Sequence, residues 1–181
     1  MSELNLNTAD MSGGSRKLPT GRFALEILAC KMHESKNQKT KSATYYIVEF
    51  KVLQVFEQTP RDTKHPAGPR PAVVVDEQSS WATTYRQDEA KKVANIVQFV
   101  CSAKDVDWSS DVERAKIDVT KAWKESTSST NPLRGTIVFC ETACLPTSNI
   151  NAETGKPHYF VKHTFYPASQ AARFMTDEPA A

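Results

Sequence analysis

Residues 43–56, ATYYIVEFKVLQVF, alternate without interruption. Tyr46, Val48, Phe50 and Val52 fall on one face of an extended chain, and Tyr45, Ile47, Glu49 and Lys51 on the other. The charged set marks the wetter face. A strand this long, well past the usual length of roughly five or six residues, has to curve if it is to stay inside a small domain. Most helical folds are excluded at once, and the rest of the chain has to supply partners for this strand.

The residues on either side supply them. RFALEILACKM, residues 22–32, sets Phe23, Leu25 and Ile27 against Arg22, Ala24 and Glu26 and reads as a first strand. A polar run, HESKNQKTKS, joins it to the second. Residues 57–71 hold four prolines and form a connection, since no strand interior tolerates that density. AVVVDEQSSWATTYR, residues 72–86, reads as a third strand, bent near DEQSS, with Trp81, Thr83 and Tyr85 on one face. A helix follows from about Asp88, with Ala90, Val93, Ala94, Val97, Val100 and Cys101 as its apolar stripe. A second helix covers about 110–125, capped by Ser110, with Val112, Ala115, Val119, Ala122 and Trp123 in register. RGTIVFCETA and HYFVKHTFY read as the fourth and fifth strands, separated by a long loop, CLPTSNINAETGKP. ASQAARFM reads as a short terminal helix.

The expected organisation is a flexible arm over 1–18, one domain over 19–168 with a helical insert at about 87–126, and a short helix and frayed tail over 169–181. Composition agrees with a folded domain. A chain of 181 residues buries around 70% of its unfolded surface without needing staples. The charge, 23 Lys+Arg against 21 Asp+Glu, excludes a histone-like binder and an acidic disordered chain. No apolar run reaches the ~18–20 residues of a membrane span, and MSELNLNTAD lacks the features of a secretory signal. The expected location is cytoplasmic, that of the host cell if the chain is phage-encoded, with Cys30, Cys101, Cys140 and Cys144 reduced.

Three strands, a helical insert and two more strands give the order of the OB-fold, a mainly β, five-stranded Greek-key barrel. A doubly wound sheet would need alternating helices. An immunoglobulin-like sandwich would need about seven strands.

The layout GRFALEI, Lys-rich loop, TYYIVEFKVLQ, SSWATTY leading into AKKVANIVQFV, then GTIVFCET and an aromatic last strand resembles the single-domain, single-stranded-DNA-binding proteins of tailed bacteriophages. The resemblance covers about residues 20–167. It is one of arrangement, and the ending TDEPAA departs from the acidic, aromatic-tipped tail that many such proteins carry. It implies sequence-independent strand binding during replication or recombination, by a monomer or homodimer, with proteins of those processes as further partners. The choice of DNA over RNA comes from this resemblance.

Single-strand binding needs flat rings for bases and positive charge for phosphates. The candidates are Lys36, Lys39 and Lys41 in the first loop, Tyr45 and Lys51 on the wetter face of the second strand, Trp81, Tyr85 and Arg86 on or just after the third, and Lys156 and Lys162 at the fourth–fifth connection. His158 lies among the last two. Tyr159 and Phe160 face opposite ways, one of them inward. Trp108 and Trp123 read as residues that pack the helices.

Cys140, Cys144, His158 and His163 approach a zinc-finger spacing. On a strand, however, the two histidines point to opposite faces, so no metal and no cofactor is expected. There is no Gly-rich phosphate loop, nucleophile elbow or paired helical His, and the chain is read as a binding module and not an enzyme. The alternative reading is a virion or tail accessory protein built on a small β-barrel, its aromatic and Thr-rich surface a protein interface.

Overall fold

The computed structural model describes residues 17–35, 43–85 and 90–175. Its strands are β1 Thr20–Ser35, β2 Ala43–Thr59, β3 Gln78–Tyr85, β4 Ile137–Ile150 and β5 Pro157–Tyr166. Between β3 and β4 come α1 Ala90–Ala103, α2 Asp111–Arg114 and α3 Val119–Ser126. After β5, a 3-10 turn at Ala168–Gln170 leads to α4 Ala172–Met175. The sheet is antiparallel in the order β3-β2-β1-β4-β5. The described chain is thus mainly β, with three of its helices between the third and fourth strands and α4 after the fifth.

The alternation of β2 is realised in full on one side, where Tyr46, Val48, Phe50 and Val52 are completely buried. Tyr45, Glu49 and Lys51 are half-buried on the other, where Ile47 is the exception and lies under cover. In β1, Ile27 and Cys30 both point inward although they are an odd number of residues apart. The ladder slips between them, with Ile27 opposite Phe50 and Ala29 opposite Glu49. The extra residue, Leu28, bends the strand and resets its phase. Two further slips lie nearer its start, so that β1 follows β2 along its length while Gly21–Glu26 pair with β4. Gly21 is required in that stretch, because a Cβ there would overlap the Glu57 carbonyl oxygen.

The bending brings the two edges of the sheet together. Phe99 of α1 sits between them, its ring 5.6 Å from Trp81 of β3, 5.0 Å from Phe165 of β5 and 6.1 Å from Phe50 of β2. Tyr46 donates or accepts a buried hydrogen bond with Ser126 at 2.8 Å, tying α3 to the same core. A smaller apolar cluster lies on the opposite side of the sheet, where Phe174 of α4 covers Ala24 and Phe139 and contacts Phe56.

Two side-chain amides complete the ladders. Gln58 accepts from Val73 N at 3.0 Å and donates to Val73 O at 3.1 Å. Asn131 does the same for Cys30, at 2.8 Å and 3.1 Å.

Several boundaries differ from expectation. β1 runs on through Ser35 and takes in His33 and Glu34, because β2 continues to offer it a partner. The third strand starts at Gln78, not Ala72. Val73 is buried but Val74 and Val75 are exposed, and Asp76, at φ 71°, turns the chain. A Val run has the composition of a strand, but here the Gln58 amide replaces the strand partner. The buried stripe of α1 is Ile96, Phe99, Val100 and Ala103, with Val93, Ala94 and Val97 only half-buried. The bulkier side chains fill the seam. The helix expected at 110–125 is two helices, each with its own cap, since Ser110 Oγ accepts from Glu113 N at 3.2 Å and Asp118 Oδ1 from Lys121 N at 2.9 Å. Val112 is 73% exposed and off the core. β4 continues through residues read as loop, accommodating Pro146 by a slip of the ladder after it. Leu18, assigned to the arm, is buried. Residues 1–16, the helix start at Asp88 and the tail from Thr176 lie outside the described residues.

Candidate nucleic-acid interface

The β4–β5 hairpin is long and its two faces differ. On β5, Tyr159, Val161 and His163 face inward and are partly covered, while His158, Phe160 and Lys162 are exposed. The segment after β2 holds the inner face down. The His65 ring lies 5.8 Å from Tyr159, and the Arg61 guanidinium donates to Cys144 Sγ at 2.6 Å. The outer face is left open.

That open face has a defined chemistry. Phe160, 47% exposed, stands opposite Leu145 across the ladder, and Lys162 stands opposite Ala143. Lys156 sits at the tip, exposed, in a turn ordered by Asn151. Its Oδ1 accepts from Glu153 N at 2.9 Å and Thr154 N at 3.0 Å, and its N donates to Lys156 O at 2.8 Å. Gly155, at φ 64°, supplies the left-handed residue this turn needs. His158, Phe160 and Lys162 therefore form one row, with alternate residues about 6.6 Å apart, and Lys156 lies just before it in the turn. Among the described residues, no carboxylate lies within ion-pair distance of Lys156 or Lys162.

The outer face of β1, β2 and β3 is different. Lys51 is bound to Asp76 at 2.7 Å and Lys31 to Glu49 at 2.7 Å. The hydrogen bond and charge of Asp76 raise the Lys51 pKa. Tyr45 is half-buried, between His33 of β1 and Thr84 of β3 in the ladders. Here the cations are already neutralised.

Trp81 does not join a binding surface. It is 8% exposed, ringed by Tyr46 at 6.3 Å, Phe99, His163 at 6.3 Å and Phe165, so no base can stack on it. The alternation that groups Trp81, Thr83 and Tyr85 holds, but the shared face is the inner one. Tyr85 is half-buried against Trp123, at 5.2 Å, so Trp123 packs α3 onto the sheet. Lys36, Lys39, Lys41 and Arg86 lie outside the described residues. Lys156 and Lys162 are exposed. Of the neighbours Tyr159 and Phe160, which alternation alone does not assign, Tyr159 faces inward and Phe160 outward. Counting alternate positions back from the buried Phe165 gives this assignment.

The zinc-like spacing falls apart on the strand. Cys140 is buried, Cys144 is held by Arg61, and His158 and His163 point to opposite sides. Among the described residues, no three His, Cys, Asp or Glu side chains are grouped to hold a metal ion. Burial holds the His163 pKa down to about 4. Burial also pushes the Cys30 thiol up to about 11 and raises Cys101 and Cys140. No helix among the described residues is long and apolar enough to cross a membrane. No protein-family model and no curated protein matches the chain.

Proposed function

We propose that this chain binds single-stranded DNA without sequence preference, as a phage-type protein of replication or recombination. The observation that carries the reading is the row His158, Phe160, Lys162 with Lys156 just before it, an aromatic ring set near lysines that no carboxylate pairs with among the described residues. A base stacked on Phe160 contributes roughly 1–3 kcal/mol, and the lysines take phosphates on either side of it. Leu145 widens the apolar floor beside the ring. The lysines of residues 36–41 add charge on the same electrostatic principle. Tyr45 and Lys51 take a secondary part, since Lys51 must leave Asp76 to meet a phosphate. We further propose that the curled sheet is an OB-like Greek-key barrel, with α1 closing the seam between β3 and β5. The module works without a cofactor and catalyses no reaction.

The test is fluorescence anisotropy of a labelled oligo-dT titrated with the protein at two salt concentrations, with duplex as competitor. Salt-dependent binding that duplex does not compete is the expected result. No binding at low salt and micromolar protein would overturn the reading. The second reading, a structural protein of a virion or tail, is favoured by the exposed apolar Leu145, Phe160 and Ile150 on one hairpin. It predicts that this hairpin is protected in assembled particles and that oligo-dT does not bind.

A further inference from the structure

A cleft of about 570 Å³ opens at the other end of β5, between α1, the turn at residues 107–109 and the segment after β5. Gln98, Trp108, Tyr166, Gln170 and Arg173 line it. Its volume lies in the range of pockets that hold small ligands. The Arg114 guanidinium covers one side of the Trp108 ring at 4.8 Å, and Arg173 lies 4.4 Å from the Tyr166 ring. Rings and guanidinium planes are the surfaces on which splayed bases stack. The Gln98 side-chain amide makes no hydrogen bond among the described residues, so its donor and acceptor are open to a base edge. Asp107 also lines the cleft; its carboxylate accepts from Ser109 N at 2.9 Å and Ser109 Oγ at 2.7 Å, and it interacts with the Gln170 side chain and the charge of Arg173, which an incoming phosphate has to share.

The cleft lies at the far end of the strand that carries the hairpin face, where Tyr166 lines it. Alternation places Phe160, Lys162, Thr164 and Tyr166 on one side of β5. From Phe160 to Tyr166 the strand rises about 20 Å, a span that several nucleotides cover.

We propose that this cleft takes one unstacked nucleobase beside Trp108, with its phosphate on Arg173. The base is one of the strand held on the hairpin face, so the proposal rests on the strand-binding reading for the source of its ligand. A peptide has less use for the site, because an indole, the Gln98 amide and the Arg173 guanidinium along one cleft match a ring, a base edge and a phosphate.

The test uses the isotope-labelled full chain and deoxyadenosine monophosphate, followed by NMR at the Trp108 indole N–H and the Gln98 side-chain amide. Both signals shift saturably in the millimolar range. Arg173→Glu, an exposed change that leaves the fold intact, weakens the effect about tenfold or more. Val75→Ser, an exposed change before β3, leaves it unchanged. Deoxyadenosine alone shifts the same two signals at higher concentration. Absence of shifts at these two groups overturns the proposal, as does the same response to inorganic phosphate alone. If oligo-dT binds and the mononucleotide does not, the cleft proposal fails and the strand-binding reading stands. If the mononucleotide binds and oligo-dT does not, the reverse holds: the cleft is then a site for a free nucleotide.

Discussion

Trp81 and Phe165 meet at 4.9 Å between ring centroids, their planes 64° apart, although they belong to the two edge strands of the sheet. The packing there is made by side chains, with Phe99 as the third member. Truncating either residue leaves a cavity that α1 alone cannot fill. Trp81→Ala and Phe165→Ala should each cost about 3–5 kcal/mol, read from urea denaturation. Trp81→Phe should keep oligo-dT affinity within twofold of the parent, roughly. A large loss of affinity without loss of stability would put Trp81 back on the binding surface.

Phe160 and its lysines separate binding from folding. Phe160→Ala should weaken oligo-dT binding by roughly 1–3 kcal/mol with an unchanged melting temperature. Lys156→Gln with Lys162→Gln should lower the salt slope of log affinity by about 1.4. An unaltered slope in the anisotropy titrations would remove the hairpin from the phosphate path.

Asp76 restrains Lys51. Asp76→Asn keeps a residue suited to the left-handed turn while removing the charge. Affinity for oligo-dT at low salt should rise, and the salt slope should steepen by up to about 0.7. If affinity falls or stays level, Lys51 lies off the strand's path.

His163 predicts an acid sensitivity. Desolvation holds its folded pKa down at about 4, against an ordinary value of 6.5. The unfolded chain therefore takes up the proton first. The stability that neutral His163 contributes is complete above pH 6.5 and is lost as pH falls from there towards 4. The loss across this window is about 3 kcal/mol. His163→Phe, which keeps the stack on Phe165 and the tilted contact with Trp81, should flatten this part of the stability profile. Parallel profiles for parent and variant, measured by urea midpoints between pH 7 and 4.5, would show that His163 is not the group concerned.

How far the fold can be read from the sequence depends on the period of each segment. The inward set of β2 is legible because its strict alternation spans a face buried throughout. The element order follows from the same patterning. Val73–Val75 mislead, since β-branched composition cannot report that a side chain, Gln58, has taken the place of a strand. Residues 145–150 mislead the other way: Pro and polar residues resemble a loop, yet a hairpin needs no buried face to pair its backbone. Trp81 and Phe160 show the same difficulty at the site. Alternation sorts residues into two faces, but which face is inside is decided by the curl of the sheet, a long-range property set by the slips in β1.

The amides of Gln58 and Asn131 each imitate a peptide unit and finish a ladder at a single chosen residue. A sheet closed off in this way is indifferent to the length of what lies beyond. The short stretches at 66–69 and 127–130 can gain or lose residues without disturbing any strand register. In relatives of this chain, insertions and deletions should gather there, each stopping short of a retained Gln or Asn.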